Sequence, residues 1–486
     1  MRLTPQGVRC LSESEIQAIV DTSLNILDEI GMIIESPFIC QRFVEAGAAW
    51  DGQTRLKFPR SLMRRYIESQ RRENFPAPVP REPHVGGSIG SYPMRYLDPY
   101  DRTIKLHTAR SVADLTRLAD AVPNIDGIGS CGVPSDISPL LQPLWMRFIS
   151  WRYAEKLSNS YVLWDHRLCP LIAEFAETVS AMEPQNGGVK RYFRGENYII
   201  TPLRYAREEA LQFEWFYQHG YRVTVGNLPS IGGSAPSTMA GAVALGLAES
   251  LVINFWQHVF YGDKGLYVAC AIPPLDMRTG CMPYGRPEQT LTALAMSQIA
   301  DAIGALDTGS TGHGTAAKGP NIEAGLNKGF GAGMQLALFG DVDWHFGIFS
   351  TDEIYDPRLI LIENEFVDSL RRISRGFEVT PETLAYDVIR EVGAGGQFLS
   401  HPHTHEHFRQ ELWLPDLFNG MYMEGWMAAG RPEILERARD KVLDILASHH
   451  PRGIKPETEE ALLSLMDKYA AELNLTDYVR PTDLPK

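Results

Sequence analysis

The chain has 486 residues, which at roughly 150 residues per domain allows about three domains, or one large α/β barrel with additions. Hydrophobic residues make up 44% and charged residues 22%, a globular balance that excludes a disordered chain. Its 46 basic against 60 acidic residues leave a net charge of −14, so it lacks the positive field that neutralises nucleic-acid phosphates.

Ser12 and Glu15 have capping-box spacing, and Ile16, Ile19, Val20, Leu24, Leu27 and Ile30 recur near a helical period, so helices are predicted from Ser12 to Gln70. Gly86, Gly87 and Gly90 break that pattern. The runs 92–97 and 103–106 predict a β-hairpin about the turn 98–101, and residues 1–107 read as a helical cap with this β-hairpin insert. After Thr108 short apolar runs alternate with helical patterns. Strands are predicted at 125–131, 161–164, 198–201, 222–225, 266–271, 306–310, 343–349 and 397–400. Eight such repeats predict an α/β protein of the (β/α)8 TIM barrel class over residues 108–407, with C-terminal helices over 408–486. A doubly wound sheet is the alternative, but no GxGxxG follows a first strand.

The most apolar stretch, Met239 to Phe260, is interrupted by Glu249, Asn254, Gln257 and His258 and reads as a buried helix, not a membrane span. The N-terminus shows no secretion pattern, and six cysteines without a CxxC pair fit reduced thiols, so a cytoplasmic protein without membrane contact is expected.

In a barrel of this class chemistry lies at the C-terminal ends of the strands. The residues predicted there include Trp164, His313, Trp344 and His345, with Arg278 in a following loop and few acids. That poverty of acids argues against a glycosidase, which needs two opposed carboxylates. His401, His403, His405 and His407 alternate, and on an extended chain two of them would share a face and could ligate a metal, giving a metal-dependent hydrolase as the alternative function. No carboxylate from another strand supports it, and no metal site is expected. In the run 343–350, alternation sets Trp344, Phe346 and Ile348 against His345, Gly347 and Phe349. One set lines the barrel and fits an aromatic cage for a quaternary ammonium, with Tyr96, Trp164, Tyr284 and Tyr355 as further walls.

The segment Leu24 to Gly31 with 43–52, the run Asp276 to Gly280, and Val388 to Gly393 through His401 to Thr404, closing at Trp413, together resemble the trimethylamine methyltransferase family. The resemblance spans nearly the whole chain. It implies a (β/α)8 barrel that moves a methyl group from a methylated amine to the Co(I) of a corrinoid (cobalamin) carried by a partner protein. Family members acting on trimethylamine carry pyrrolysine, which the resemblance places within 349–352, whereas this chain has ordinary residues there. It is therefore similar to the non-pyrrolysine branch, whose substrates are quaternary amines such as glycine betaine. A second departure is 314–321, which keeps Lys318 but lacks the acid that relatives carry there. The expected catalytic residues are His345 and His313, and the expected substrate contacts are Tyr96, Trp164, Arg278, Trp344, Phe346, Phe349 and Tyr355, with Arg278, His313 or His345 holding a substrate carboxylate. A homo-oligomer is expected, and a barrel that binds betaines without catalysis is the third reading.

Overall fold

The structure is a computed structural model and describes residues 8–76, 84–158, 160–161, 163–268, 272–307 and 314–485. The N-terminal helix Glu13–Asn25 starts at the predicted capping box: the Ser12 hydroxyl accepts from Glu15 N at 3.4 Å and the Glu15 carboxylate accepts from Ser12 N at 2.8 Å. The segment to Gln70 is not wholly helical, however. After Gly31 the short strands Met32–Ile34, Ala49–Trp50 and Arg55–Lys57 intervene, and Arg204–Tyr205 joins their sheet.

Among the described residues eight strands lie in all-parallel sheets and are numbered β1 (Val85–Ser91), β2 (Ile125–Cys131), β3 (Ser160–Tyr161), β4 (Arg194–Ile199), β5 (Val223–Asn227), β6 (Tyr267–Val268), β7 (Leu306–Asp307) and β8 (Val342–His345). The ladders are β8-β1-β2, β3-β4-β5 and β6-β7. Parallel bridges at Ile128 with Leu157 and at Ile231 with Pro274 lie between them. Helices alternate with these strands, so the fold is α/β.

Two sequence expectations are corrected here. Residues 397–400 form a turn rather than a strand, with Leu399 85% exposed, because no neighbouring layer buries the Phe398-Leu399 pair. The strand missed is β1, inside the presumed irregular insert, where it pairs with both β8 and β2. Its glycines explain why it reads as a turn: a Cβ on Gly87 would sit 2.0 Å from Trp344 O, so close approach to β8 demands glycine. The expected hairpin is present as Arg95–Leu97 with Ile104–Leu106, and Ile354–Tyr355 extends it.

Helix α1 (Met239–Tyr261) is the described helix long and apolar enough to cross a membrane, but 78% of its most apolar window is buried inside the protein. Helices α2 (Ile322–Phe339) and α3 (Pro357–Arg375) flank β8. Beyond α3 come α4 (Tyr386–Val392), α5 (Pro402–Glu411) and α6 (Met423–Ala428), none of which holds a buried residue. Phe408, where the C-terminal extension was expected to begin, lies inside α5. Helices α7 (Ile434–Ser448) and α8 (Pro456–Glu472) then return to the body, burying Val442, Leu462 and Met466.

Candidate functional site

Alternation along the strands sorts side chains onto a face against the helices and a face turned away from them. In β4, Asn197 is buried and its Nδ2 donates to Glu209 O at 3.0 Å, so Glu196 and Tyr198 point the other way, onto the inner face. Tyr198 keeps 40% exposure, yet burial, reinforced by the neighbouring Glu196 carboxylate, pushes its hydroxyl pKa well up. That combination belongs to a group on the wall of a wet recess. Its hydroxyl donates to Glu196 Oε1 at 2.7 Å, and its ring lies so close to Gly226 of β5 that a Cβ there would come within 2.8 Å.

Tyr92, just past β1, and Tyr284, in the chain after β6, lie near enough to Tyr198 to add to that upward shift. The pKa of Tyr284 is itself pushed up by burial and by Asp352, which accepts its hydrogen bond, and its ring packs against Gly314. Tyr92 and Tyr284 thus stand within electrostatic reach of the Tyr198 hydroxyl, on the side of the strands where β1 and β6 end. Beside them Met94, Trp164, Ile200 and Leu228 are each 39 to 48% exposed, forming an apolar rim.

Two devices hold this edge. Glu249, fully buried on α1, accepts from Leu203 N and Thr201 Oγ1 at 2.9 Å and from Asn227 Nδ2 at 3.0 Å, tying the ends of β4 and β5 together. Burial raises its pKa against the lowering effect of those three donors. At β8, Lys328 of α2 forms a buried ion pair with Glu363 of α3 and donates to His345 O and Ile348 O at 3.2 Å. Glu363 in turn accepts from Gly347 N at 2.6 Å and Trp344 Nε1 at 3.0 Å, fixing the bend at Gly347, whose φ is +72°.

The next segment is strained. Ser350, Thr351 and Asp352 have φ of 57°, 54° and 63°, three successive non-glycine residues in the left-handed region. Ser350 N donates to Ala317 O at 3.0 Å and Thr351 N to Thr315 O at 2.9 Å, while Lys318 Nζ reaches Ser350 Oγ at 2.8 Å.

The residues expected from sequence do not assemble into one cage. His345 is half-buried at the end of β8 and on the inner face, one strand step above Asp343. Burial raises the pKa of Asp343, while His345 and His84 lower it. Trp344 and Phe346 are buried, with Trp344 on the helix side against Glu363, and Phe349 sits in a small cluster with Ile354 and Leu359. Tyr355 is fully buried beside His107, on which Tyr96 stacks at 4.8 Å. Trp344, Phe346, Phe349 and Tyr355 therefore fill interior space, as hydrophobic burial favours for aromatics on short strands, while Tyr96 is half-buried. Arg278 is 82% exposed and bound to Asp276 at 2.7 Å, holding that carboxyl well below its usual range. Trp164 stands on the rim, its Nε1 donating to Pro139 O at 3.0 Å. His313 lies outside the described residues. Tyr284 was legible as a wall, but Tyr92, Tyr198 and Glu196 were not singled out. The available signal was the alternation in β4, which sets Glu196 and Tyr198 on one face.

His401 is the N-cap of α5, accepting from His403 N at 3.1 Å, so the alternating histidines enter a helix and do not share a strand face. Among the described residues the grouping with metal-ligand spacing is Asp165, His166 and Glu208. Its oxygens are already engaged: Asp165 pairs with Arg167, and Glu208 accepts from His166 and Gln212.

Residues 4–474 match the family described as trimethylamine methyltransferase (MTTB). The chain is 24% identical over 475 residues to the trimethylamine methyltransferase MttB of Desulfitobacterium hafniense strain DCB-2, covering 95% of this chain and 94% of that one. It is also 24% identical over 491 residues to a glycine betaine methyltransferase of D. hafniense strain Y51, covering 95% and 97%. Among solved structures it is similar to the Methanosarcina barkeri monomethylamine methyltransferase, with 12% identity, a TM-score of 0.44, and coverage of 91% and 95%.

Proposed function

The chain belongs to the trimethylamine methyltransferase family, and from that premise we propose that it moves a methyl group from a quaternary amine of the glycine betaine kind to Co(I) of a corrinoid held by a partner protein. The observation that supports this reading is the inner-face wall of Tyr198, its hydroxyl held by Glu196 at 2.7 Å and its ring against Gly226, with Tyr92 and Tyr284 within electrostatic reach. Aromatic faces attract an ammonium that has no N–H to donate, with roughly 0.5 to 2 kcal/mol per contact. Glu196 and Asp352 hold tyrosine hydroxyls, and their charge adds to the attraction.

The corrinoid is a co-substrate and supplies the nucleophile that takes the methyl group. The C–N bond breaks with its electron pair left on nitrogen, so the quaternary amine leaves as a tertiary one and no proton moves. The chain's part is to orient the ammonium with one methyl facing outward and to exclude water. The exposed rim of Met94, Trp164, Ile200 and Leu228 fits an apolar macrocycle or its carrier. A quaternary nitrogen is already cationic and leaves readily, which fits ordinary residues at 349–352. His345 on the inner face remains our candidate to meet a substrate carboxylate; His313 is the second, and Arg278 requires release from Asp276.

The pairing of β8 with β1 and the chain-order pairing of the others support a closed (β/α)8 barrel. Free cysteines at 10, 40, 131, 169 and 281 suit a reducing, cytoplasmic setting. The test is methylation of Co(I) cobalamin, followed by absorbance, across a panel of amines. Turnover of glycine betaine but not trimethylamine is expected, and faster use of trimethylamine overturns the assignment.

A further inference from the structure

The second half of α3 carries Arg371, Arg372 and Arg375, and α5 adds Arg409. These four guanidinium groups line one cleft of about 360 Å3 at the N-terminal edge of the strands, where Arg371 Nε donates to Val85 O at the start of β1. That volume suits a small-molecule site. Leu412, Trp413 and Leu414 form its apolar wall.

Part of this charge has a structural use. Arg372 donates to Glu411 O at 2.6 and 2.8 Å and to Gly376 O at 2.7 Å, and Arg375 donates to Gln410 O, so the carbonyl end of α5 is stapled to α3. A carbonyl carries no net charge, however. Against the four cations stand Asp368 in the lining, Glu411 at 3.6 Å from Arg372, and two helix C-termini worth roughly half a negative charge each. About one positive charge remains unmatched, on a chain whose net charge is −14. Among the described residues no acid pairs with Arg371, Arg375 or Arg409.

Those three also keep unused donors. Arg371 spends its Nε and Arg375 one Nη, whereas the Arg409 guanidinium lies over the Phe408 ring, 4.5 Å from its centroid. Guanidinium forks with N–H groups to spare bind phosphate oxygens in pairs. Beside the forks, Trp413 is half-buried, meets the Phe418 ring at 5.6 Å and 61°, and turns the rest of its indole to the cleft.

We propose that this cleft binds a small organic phosphate of the nucleoside diphosphate kind, with its phosphates on Arg371, Arg375 and Arg409 and its flat ring on Trp413. The site is distinct from the methyl-transfer edge, because β1 starts at Val85 beside the cleft and leads to Tyr92 at its other end.

Equilibrium dialysis of the full chain against ADP reads the affinity directly. Binding is expected, and it weakens at least tenfold as ionic strength rises from about 0.05 to about 0.5 M, because the contacts are ionic. Arg375→Gln and Arg409→Gln each lose roughly tenfold or more. Trp413→Leu loses affinity for ADP but keeps it for inorganic pyrophosphate. Among the described residues the Arg409 side chain makes no hydrogen bond, so its variant keeps the fold, which circular dichroism and an unchanged rate of Co(I) methylation check. No retention of ADP at about 1 mM, adenosine retained as well as ADP, an Arg409→Gln variant that binds ADP as wild type does, or a Trp413→Leu variant with unchanged ADP affinity overturns the proposal.

Discussion

The buried pair Lys328 and Glu363 offers the sharpest test of how β8 is held. Their side chains are 4% and 7% exposed, and together they bind Gly347 N, Trp344 Nε1, His345 O and Ile348 O. Lys328→Met keeps the chain length but leaves the Glu363 carboxylate buried without a counter-charge and removes the donor to two carbonyls. Breaking one side of a buried ion pair costs about 3 to 5 kcal/mol. Adding Glu363→Gln removes the orphaned charge while keeping one acceptor, so the double variant should recover about 1 to 2 kcal/mol of that loss. Urea unfolding of the four proteins in the cycle measures both quantities. A loss below about 1 kcal/mol for Lys328→Met, or a double variant no better than the sum of the singles, refutes the view that this pair clamps the bend beneath His345.

Tyr198→Ala should weaken binding of a quaternary amine roughly 3- to 30-fold with little change in melting temperature, and a calorimetric titration showing equal affinity removes it from the site. Glu249→Ala strands three donors and should cost on the order of 2 to 5 kcal/mol in urea unfolding; a loss under about 1 kcal/mol means water satisfies them. Burial depresses the His107 pKa to about 3. The unfolded chain therefore binds an extra proton below about pH 6.5, and stability falls as pH drops, by about 1.4 kcal/mol per unit towards pH 3. His107→Gln should flatten the stability profile between pH 6 and 4, as read by urea midpoints, and an unchanged slope shows that the imidazole is not responsible. Thr351→Gly relieves about 1 to 2 kcal/mol of left-handed strain against about 0.5 to 1 kcal/mol of added backbone entropy. A stability equal to wild type or slightly higher is expected, and a loss above about 1 kcal/mol means that the turn is not strained at that residue.

The α/β alternation was legible because seven of the eight predicted strands overlap observed ones, at short apolar runs whose burial is local. β1 was not, since Gly87 and Gly90 are dictated by the backbone of β8 and β2, on the order of 250 and 40 residues away in sequence, and such packing leaves no hydrophobic period to read. The run 397–400 failed for the converse reason: it has an apolar pair, but among the described residues no strand lies beside it to pair with. The site divides along the same line. Aromatic content near β8 suggested a cage, but the helices α2 and α3 bring Lys328 and Glu363 to the Trp344 face and draw that side into the core. Which aromatics remain open is settled by the neighbours, and the tyrosines that qualify stand opposite glycines, Tyr198 by Gly226 and Tyr284 by Gly314.

The left-handed run Ser350 to Asp352 joins the end of β8 to the tyrosine wall. It follows the clamp formed by Lys328 and Glu363, it is anchored to 315–318 by Thr315 O, Ala317 O and Lys318, and through Asp352 it holds Tyr284. Conformations of this kind cost of order 1 to 3 kcal/mol per residue and persist where the surroundings over-determine them. Here the surroundings do so from three sides. The segment that the family resemblance assigns to pyrrolysine is thus, in this chain, a rigid turn that aims an ordinary carboxylate at a tyrosine wall. In the proposed function, a cation that is already charged calls for such a fixed wall more than for a reactive side chain at that position.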